Sequence, residues 1–276
     1  MGSSSALPEP ELLPPDGTLP PQQPPTRRTR PVWMVAPATH VLVVVNCLVF
    51  LWMLAGGVSW LSPTSYDLLN HGANNAGAVL FYGEWARIVT AMFVHVGIIH
   101  LATNMWCLWN LGLLAEPLLG WGGVIAAYIL SGAAGNLLST FVSWWLYRPQ
   151  AGVVELFGPV GAGASGAVFG LAGVLIVLLK SPLLPVPPSE LKGLRKSVIM
   201  FAAINLVIGM ATMTPGSPVH IDNMAHLGGF ACGLIFAAPL VPRIGAPRRQ
   251  FELRRRVAVG MVVVLLTLFG FYLAHL

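Results

Sequence analysis

The chain has 276 residues, 55% of them hydrophobic and 9% charged, with a formal net charge of +5. An ordinary soluble domain carries roughly 25% charged residues, so a chain this apolar could not cover itself in water, and lipid must be its main solvent. That excludes a soluble-type hydrolase, and the placement of the positive charges speaks for membrane topology rather than nucleic acid.

Residues 1–30 are rich in Pro, Ser and Gln and poor in large apolar side chains. They cannot bury enough surface to offset the entropy of ordering, so a disordered, cytoplasmic tail is predicted there. The stretch lacks an apolar h-region, and no secretory signal peptide is expected. Seven apolar stretches follow, at about 39–60, 98–114, 121–146, 165–179, 198–213, 223–240 and 257–274. A helix needs about 20 residues to cross about 30 Å of hydrocarbon. The fourth and fifth stretches are short, which suits helices held inside a bundle. Backbone groups in lipid must be satisfied internally, and the alternation of barrel strands is absent, so the fold class is all-α, a polytopic membrane helix bundle.

The basic residues test this count. The tail carries Arg27, Arg28 and Arg30, and the connection after the fourth stretch carries Lys180, Lys192, Arg195 and Lys196. The connection after the sixth carries Arg243, Arg248, Arg249, Arg254, Arg255 and Arg256. Thirteen of the fifteen basic residues thus fall on one side, leaving Arg87 and Arg148 on the other. The positive-inside rule then predicts a cytoplasmic amino end and a carboxyl end outside. Cys47, Cys107 and Cys232 lie far apart in apolar runs, with neither metal-ligand spacing nor a disulfide framework. They read as small core residues.

Polar groups inside a membrane are costly and are usually functional or paired. Ser165 opens the fourth stretch in Gly161-Ala162-Gly163-Ala164-Ser165-Gly166, and His226 sits at the start of the sixth in Ala225-His226-Leu227-Gly228-Gly229. His100 and Asn104 open the second. By the charge topology these three helices run from outside to inside, so all four residues share one depth near the outer face. A serine needs a base to become a nucleophile, and a neutral histidine can take its proton. Gly166 and Gly170, and Gly229 and Gly233, are spaced to let two helix backbones touch. His100 and Asn104, four apart, share a helix face. With the Ser165 N–H they could stabilise an oxyanion. The blander readings are a serine bonded to its own backbone and a histidine and asparagine that merely join helices. His95 reads as a brace for the outer loop, and Glu116 as a capping or loop-bracing group.

The combination of Gly-x-Ser-Gly at Gly163–Gly166, Ala-His-x-x-Gly-x-x-x-Gly at Ala225–Gly233 and His-x-x-x-Asn at His100–Asn104 resembles the rhomboid intramembrane protease family, over about residues 80–240. The resemblance implies a six-helix core at residues 31–241, followed at 242–276 by a basic connection and one C-terminal transmembrane helix. It implies a catalytic Ser165–His226 pair without a third acidic member, and cleavage of transmembrane protein substrates near the outer face. Neither metal nor organic cofactor is implied. Where the family often has adjacent Trp-Arg in the first outer loop, this chain has Glu84-Trp85-Ala86-Arg87, with Arg87 in register. Where it often has Tyr one turn after the serine, this chain has Phe169, whose ring can pack beside His226 but cannot hydrogen-bond.

A catalytically dead, helix-binding relative would typically lack the serine or the histidine, and both are present. A transporter would show internal repeats and ionisable residues at mid-membrane, which the sequence does not. A zinc membrane protease would need His-Glu-x-x-His, which is absent. A bacterial plasma membrane is the expected location, with the lipid bilayer and transmembrane proteins as partners. The sequence leaves the oligomeric state open.

Overall fold

The computed structural model describes residues 36–147, 158–181, 183–211, 221–241 and 247–276. The predicted tail lies outside the described residues, as do Arg27, Arg28, Arg30, Arg148 and Arg243.

Among the described residues ten α-helices follow one another: α1 Pro37–Ala55, α2 Ser65–Asn70, α3 Ala76–Leu80, α4 Arg87–Thr90, α5 Ile98–Leu119, α6 Trp121–Tyr147, α7 Ser165–Leu178, α8 Pro188–Ala211, α9 Asn223–Ala237 and α10 Arg248–Leu273. A 3-10 turn, Ala238–Leu240, extends α9. Six of these elements are long and apolar enough to cross a membrane, α7 being the shorter exception. The described residues contain no strand, and one isolated bridge joins Asn74 to Gly161. The protein is an integral, multi-pass membrane helix bundle with a six-helix core and one C-terminal transmembrane helix.

Burial explains why α7 is short. It packs against α5, α6, α8 and α9, and nearly every side chain along it is buried. Its surroundings are protein, so its length is set by its neighbours rather than by hydrocarbon thickness. α8 and α10 are the opposite case. They turn Ile204, Val207 and Ile208, and Val264, Leu268 and Phe271, outward. Such continuous apolar exposure suits contact with lipid.

Two helices begin well before their apolar runs. α8 begins at Pro188, ten residues before the run at Val198, and carries Lys192, Arg195 and Lys196 on its first turns. α10 begins at Arg248 rather than near Val257. Hydropathy marks only the lipid-immersed part of a helix, and the cationic first turns continue past it.

Buried polar groups join the helices. Both oxygens of Glu116, near the end of α5, accept hydrogen bonds from the start of α1. The Ala38 and Thr39 N–H groups donate at 2.8 Å each and the Thr39 hydroxyl at 2.7 Å. The carboxylate thus satisfies donors that a helix N-terminus cannot satisfy itself. It caps, as its position suggested, but from a different helix. At mid-bundle the Asn46 amide donates to the Tyr128 hydroxyl at 3.0 Å.

Candidate active site

α7 and α9 meet along a seam without side chains. A Cβ on Gly229 would lie 2.0 Å from the Gly166 carbonyl oxygen, and one on Gly233 would lie 2.0 Å from that of Gly170. A Cβ on Gly166 would lie 3.2 Å from the Ala225 carbonyl oxygen. At the two 2.0 Å contacts only hydrogen fits, and the third is tight, so the backbones themselves touch. Gly166 follows Ser165 and Ala225 precedes His226, so the seam brings the first turns of both helices side by side.

Phe169 lies one turn beyond Ser165 on the same face of α7. Its ring stacks on the His226 imidazole, with centroids 4.2 Å apart and planes 11° from parallel. The Ser165 face of α7 is therefore turned to His226. Among the described residues no hydrogen bond joins the Ser165 hydroxyl to His226, and none reaches the buried His226 Nδ1. Hydrogen bonds between reacting groups are often long without substrate and tighten once it binds.

His100 comes to the site from α5. A Cβ on Gly163 would lie 2.6 Å from its Cε1, so its ring rests on the backbone just before the serine. Gly163 has φ +128°, a conformation that L side chains rarely adopt, so both space and torsion require glycine here. The Val96 N–H donates to His100 Nδ1 at 3.3 Å. In the neutral ring that places the proton on Nε2, which leaves an N–H donor. The Asn104 amide, on the same face, donates to the His100 carbonyl at 2.9 Å. One of its two N–H groups is thereby engaged.

The loop before Ser165 is held from several directions. Gly161 exchanges both backbone hydrogen bonds with Asn74, at 2.7 and 2.8 Å, and the Gly163 N–H donates to the Ala91 carbonyl at 2.9 Å. The Ala164 N–H donates to Nε2 of the fully buried His95 at 3.4 Å, while His95 Nδ1 donates to the Phe93 carbonyl at 3.1 Å. Burial, together with the nearby His100, pushes the His95 pKa down to about 3. His95 thus braces the serine turn as well as the loop that leads into α5. Arg87 ties that loop down. Its guanidinium donates to the carbonyls of Leu69 at 2.6 Å and Ala73 at 2.8 Å, and pairs with Glu84.

Two site residues carry no signal in the sequence. Asp222 caps α9, accepting from the Ala225 N–H at 2.9 Å and from the Ser139 hydroxyl of α6 at 2.5 Å. Burial pushes its carboxyl above the usual range, against the pull of those bonds. Asn74 holds Gly161 through its backbone and reaches α6 through its side chain, donating to the Thr140 hydroxyl at 3.1 Å. An acid before a helix and an asparagine in a loop are ordinary, and their partners lie more than 60 residues away.

Residues 82–243, more than half of the chain, match the family model described as the Rhomboid domain. Curated relatives agree. The chain is 28% identical over 237 residues to "Rhomboid protease GluP" of Bacillus subtilis (strain 168), covering 86% of this chain and 40% of that protein. It is 31% identical over 175 residues to "RHOMBOID-like protein 1" of Arabidopsis thaliana, covering 63% and 39%. It is 28% identical over 204 residues to "Rhomboid protease AarA" of Providencia stuartii, covering 72% and 70%. The chain spans about two-fifths of the length of the first two of these relatives. On the matched span and the helical core around Ser165 and His226, the chain belongs to the rhomboid family.

Proposed function

We propose that the protein is an intramembrane serine endopeptidase that cleaves transmembrane protein substrates near the outer membrane face. Ser165 is the nucleophile and His226 its base. The observation that carries this reading is the stacking of Phe169 on His226 one turn beyond Ser165, across a seam of glycines. Two relatives are named rhomboid proteases, which supports the same reaction class.

A substrate helix approaches through lipid and unwinds near the site. The Ser165 hydroxyl attacks the scissile carbonyl carbon as its proton passes to His226. The negative charge that develops on the carbonyl oxygen is met by the Ser165 N–H, the His100 Nε2–H and the remaining N–H of Asn104. His226 then gives its proton to the leaving amine, and a water, deprotonated by His226, hydrolyses the acyl-enzyme. Gly163, Gly166, Gly229 and Gly233 permit the close approach, and Arg87 steadies the outer loop. The setting is a bacterial plasma membrane, with the amino end cytoplasmic and the carboxyl end outside. The charge asymmetry of the connections supports that orientation.

A fluorophosphonate probe tests the nucleophile without presuming a substrate. Wild type should be labelled, with the adduct mapped to Ser165, and His226→Ala should lose the label. Labelling at another residue, or full labelling of His226→Ala, would refute the assignment.

A further inference from the structure

His226 lies at the fourth position of α9, within the first turn, where a helix frays most readily because its N–H groups lack intrahelical partners. Its Nδ1 is buried, and no hydrogen bond among the described residues reaches it. The ring is therefore not oriented through that nitrogen. Its place depends on the Phe169 stack and on the backbone turn that carries it.

Asp222 holds that turn. Its Oδ1 accepts from the Ala225 N–H, and its backbone carbonyl accepts from the His226 N–H at 3.2 Å. Its Oδ2 accepts from Ser139 and faces Gly161, where a Cβ would lie 3.3 Å away. Ser139 and Thr140 are consecutive on α6. Ser139 holds the histidine turn through Asp222, and Thr140 holds the serine loop through Asn74 and Gly161. One stretch of one helix thus sets the positions of two groups that belong to separate elements.

We propose that Asp222 is a positioning residue for His226, fixing the imidazole relative to the Ser165 hydroxyl through its bonds to Ala225 and Ser139. The inference rests on the Ser165–His226 reading above. Asp222 touches neither substrate nor the reacting atoms, and it acts through the helix turn. A misplacement of about 1 Å can cost about 100-fold in rate, so a cap at this position has leverage on kcat.

The test is steady-state cleavage of a transmembrane reporter by the full chain in detergent, with the folded fraction read from thermal unfolding. Asp222→Ala should lower kcat per folded molecule by about 10- to 100-fold with KM little changed. Asp222→Asn keeps an acceptor for Ala225 and a polar partner for Ser139, and should restore most of the rate. Ser139→Ala should lose less, and the double variant Asp222→Ala/Ser139→Ala should be no slower than Asp222→Ala alone. Wild-type kcat per folded Asp222→Ala molecule would overturn the inference, because Asp222 would then be a stability cap only. So would an Asp222→Asn variant as slow as Asp222→Ala, because a charge effect would then replace positioning. Inactive wild type, or activity that survives Ser165→Ala, would instead sink the underlying reading.

Discussion

The Phe169 ring lies 4.2 Å from the His226 imidazole and within 11° of parallel to it. A hydroxyl on that ring is not needed for the contact, which is one of faces. Phe169→Tyr should therefore keep most of the activity. Phe169→Ala removes the stack, worth about 0.5–1.5 kcal/mol beyond burial. It should lower kcat by about tenfold, the equivalent of about 1.4 kcal/mol in the barrier. A kcat comparison of the two variants checks this.

The glycine seam makes a sharper structural prediction. A methyl on Gly229 would meet the Gly166 carbonyl oxygen at 2.0 Å, whereas one on Gly122 or Gly260 would meet nothing within 4 Å. Overpacking of a tight contact costs about 1–3 kcal/mol and occasionally more. Gly229→Ala should lower the thermal midpoint and abolish cleavage, while Gly122→Ala and Gly260→Ala should leave both unchanged. Differential scanning fluorimetry and reporter cleavage measure the two effects.

Glu116 separates stability from chemistry. Glu116→Ala strands the Ala38 and Thr39 N–H groups and the Thr39 hydroxyl. Each hydrogen bond to a charged group is worth about 1.5–3 kcal/mol. The variant should unfold several degrees earlier than wild type, yet cut at the wild-type rate per folded molecule below its midpoint.

His95 sets a pH dependence whose sign follows from its geometry. Nδ1 donates and Nε2 accepts, so the ring is neutral in the folded protein, with its pKa pushed from 6.5 down to about 3. Between those values the unfolded chain binds more protons than the folded one, so stability rises with pH across that window. The thermal midpoint should be level above about pH 7 and fall as the pH drops below about 6.5. A charged His95 would also lose the Ala164 bond beside Ser165. His95→Gln should make this acid limb shallower, and thermal unfolding from pH 4 to pH 8 on both proteins measures the difference.

The bundle was largely legible because lipid demands unbroken apolar runs, and Ser165, His226, His100 and Asn104 were visible among the polar exceptions within them. The starts of α8 and α10 were hidden, since cationic turns such as Lys192–Lys196 and Arg254–Arg256 look like loop to a hydropathy reading. The supports of the site were hidden for another reason. Ser139–Asp222, Asn74–Gly161 and His95–Ala164 join residues 69–87 apart, and no periodicity relates them. Sequence spacing reports which residues share a helix face. It does not report which loop a buried hydroxyl will reach.

The most direct measurement is cleavage of a fluorescent transmembrane reporter by the purified full chain, with Ser165→Ala and His226→Ala prepared alongside and shown to be folded. Wild type should cut once near the outer end of the reporter helix, and neither variant should cut. Cleavage that persists in folded Ser165→Ala or His226→Ala, or a wild type that cuts none of several reporters, would contradict the Ser165–His226 reading.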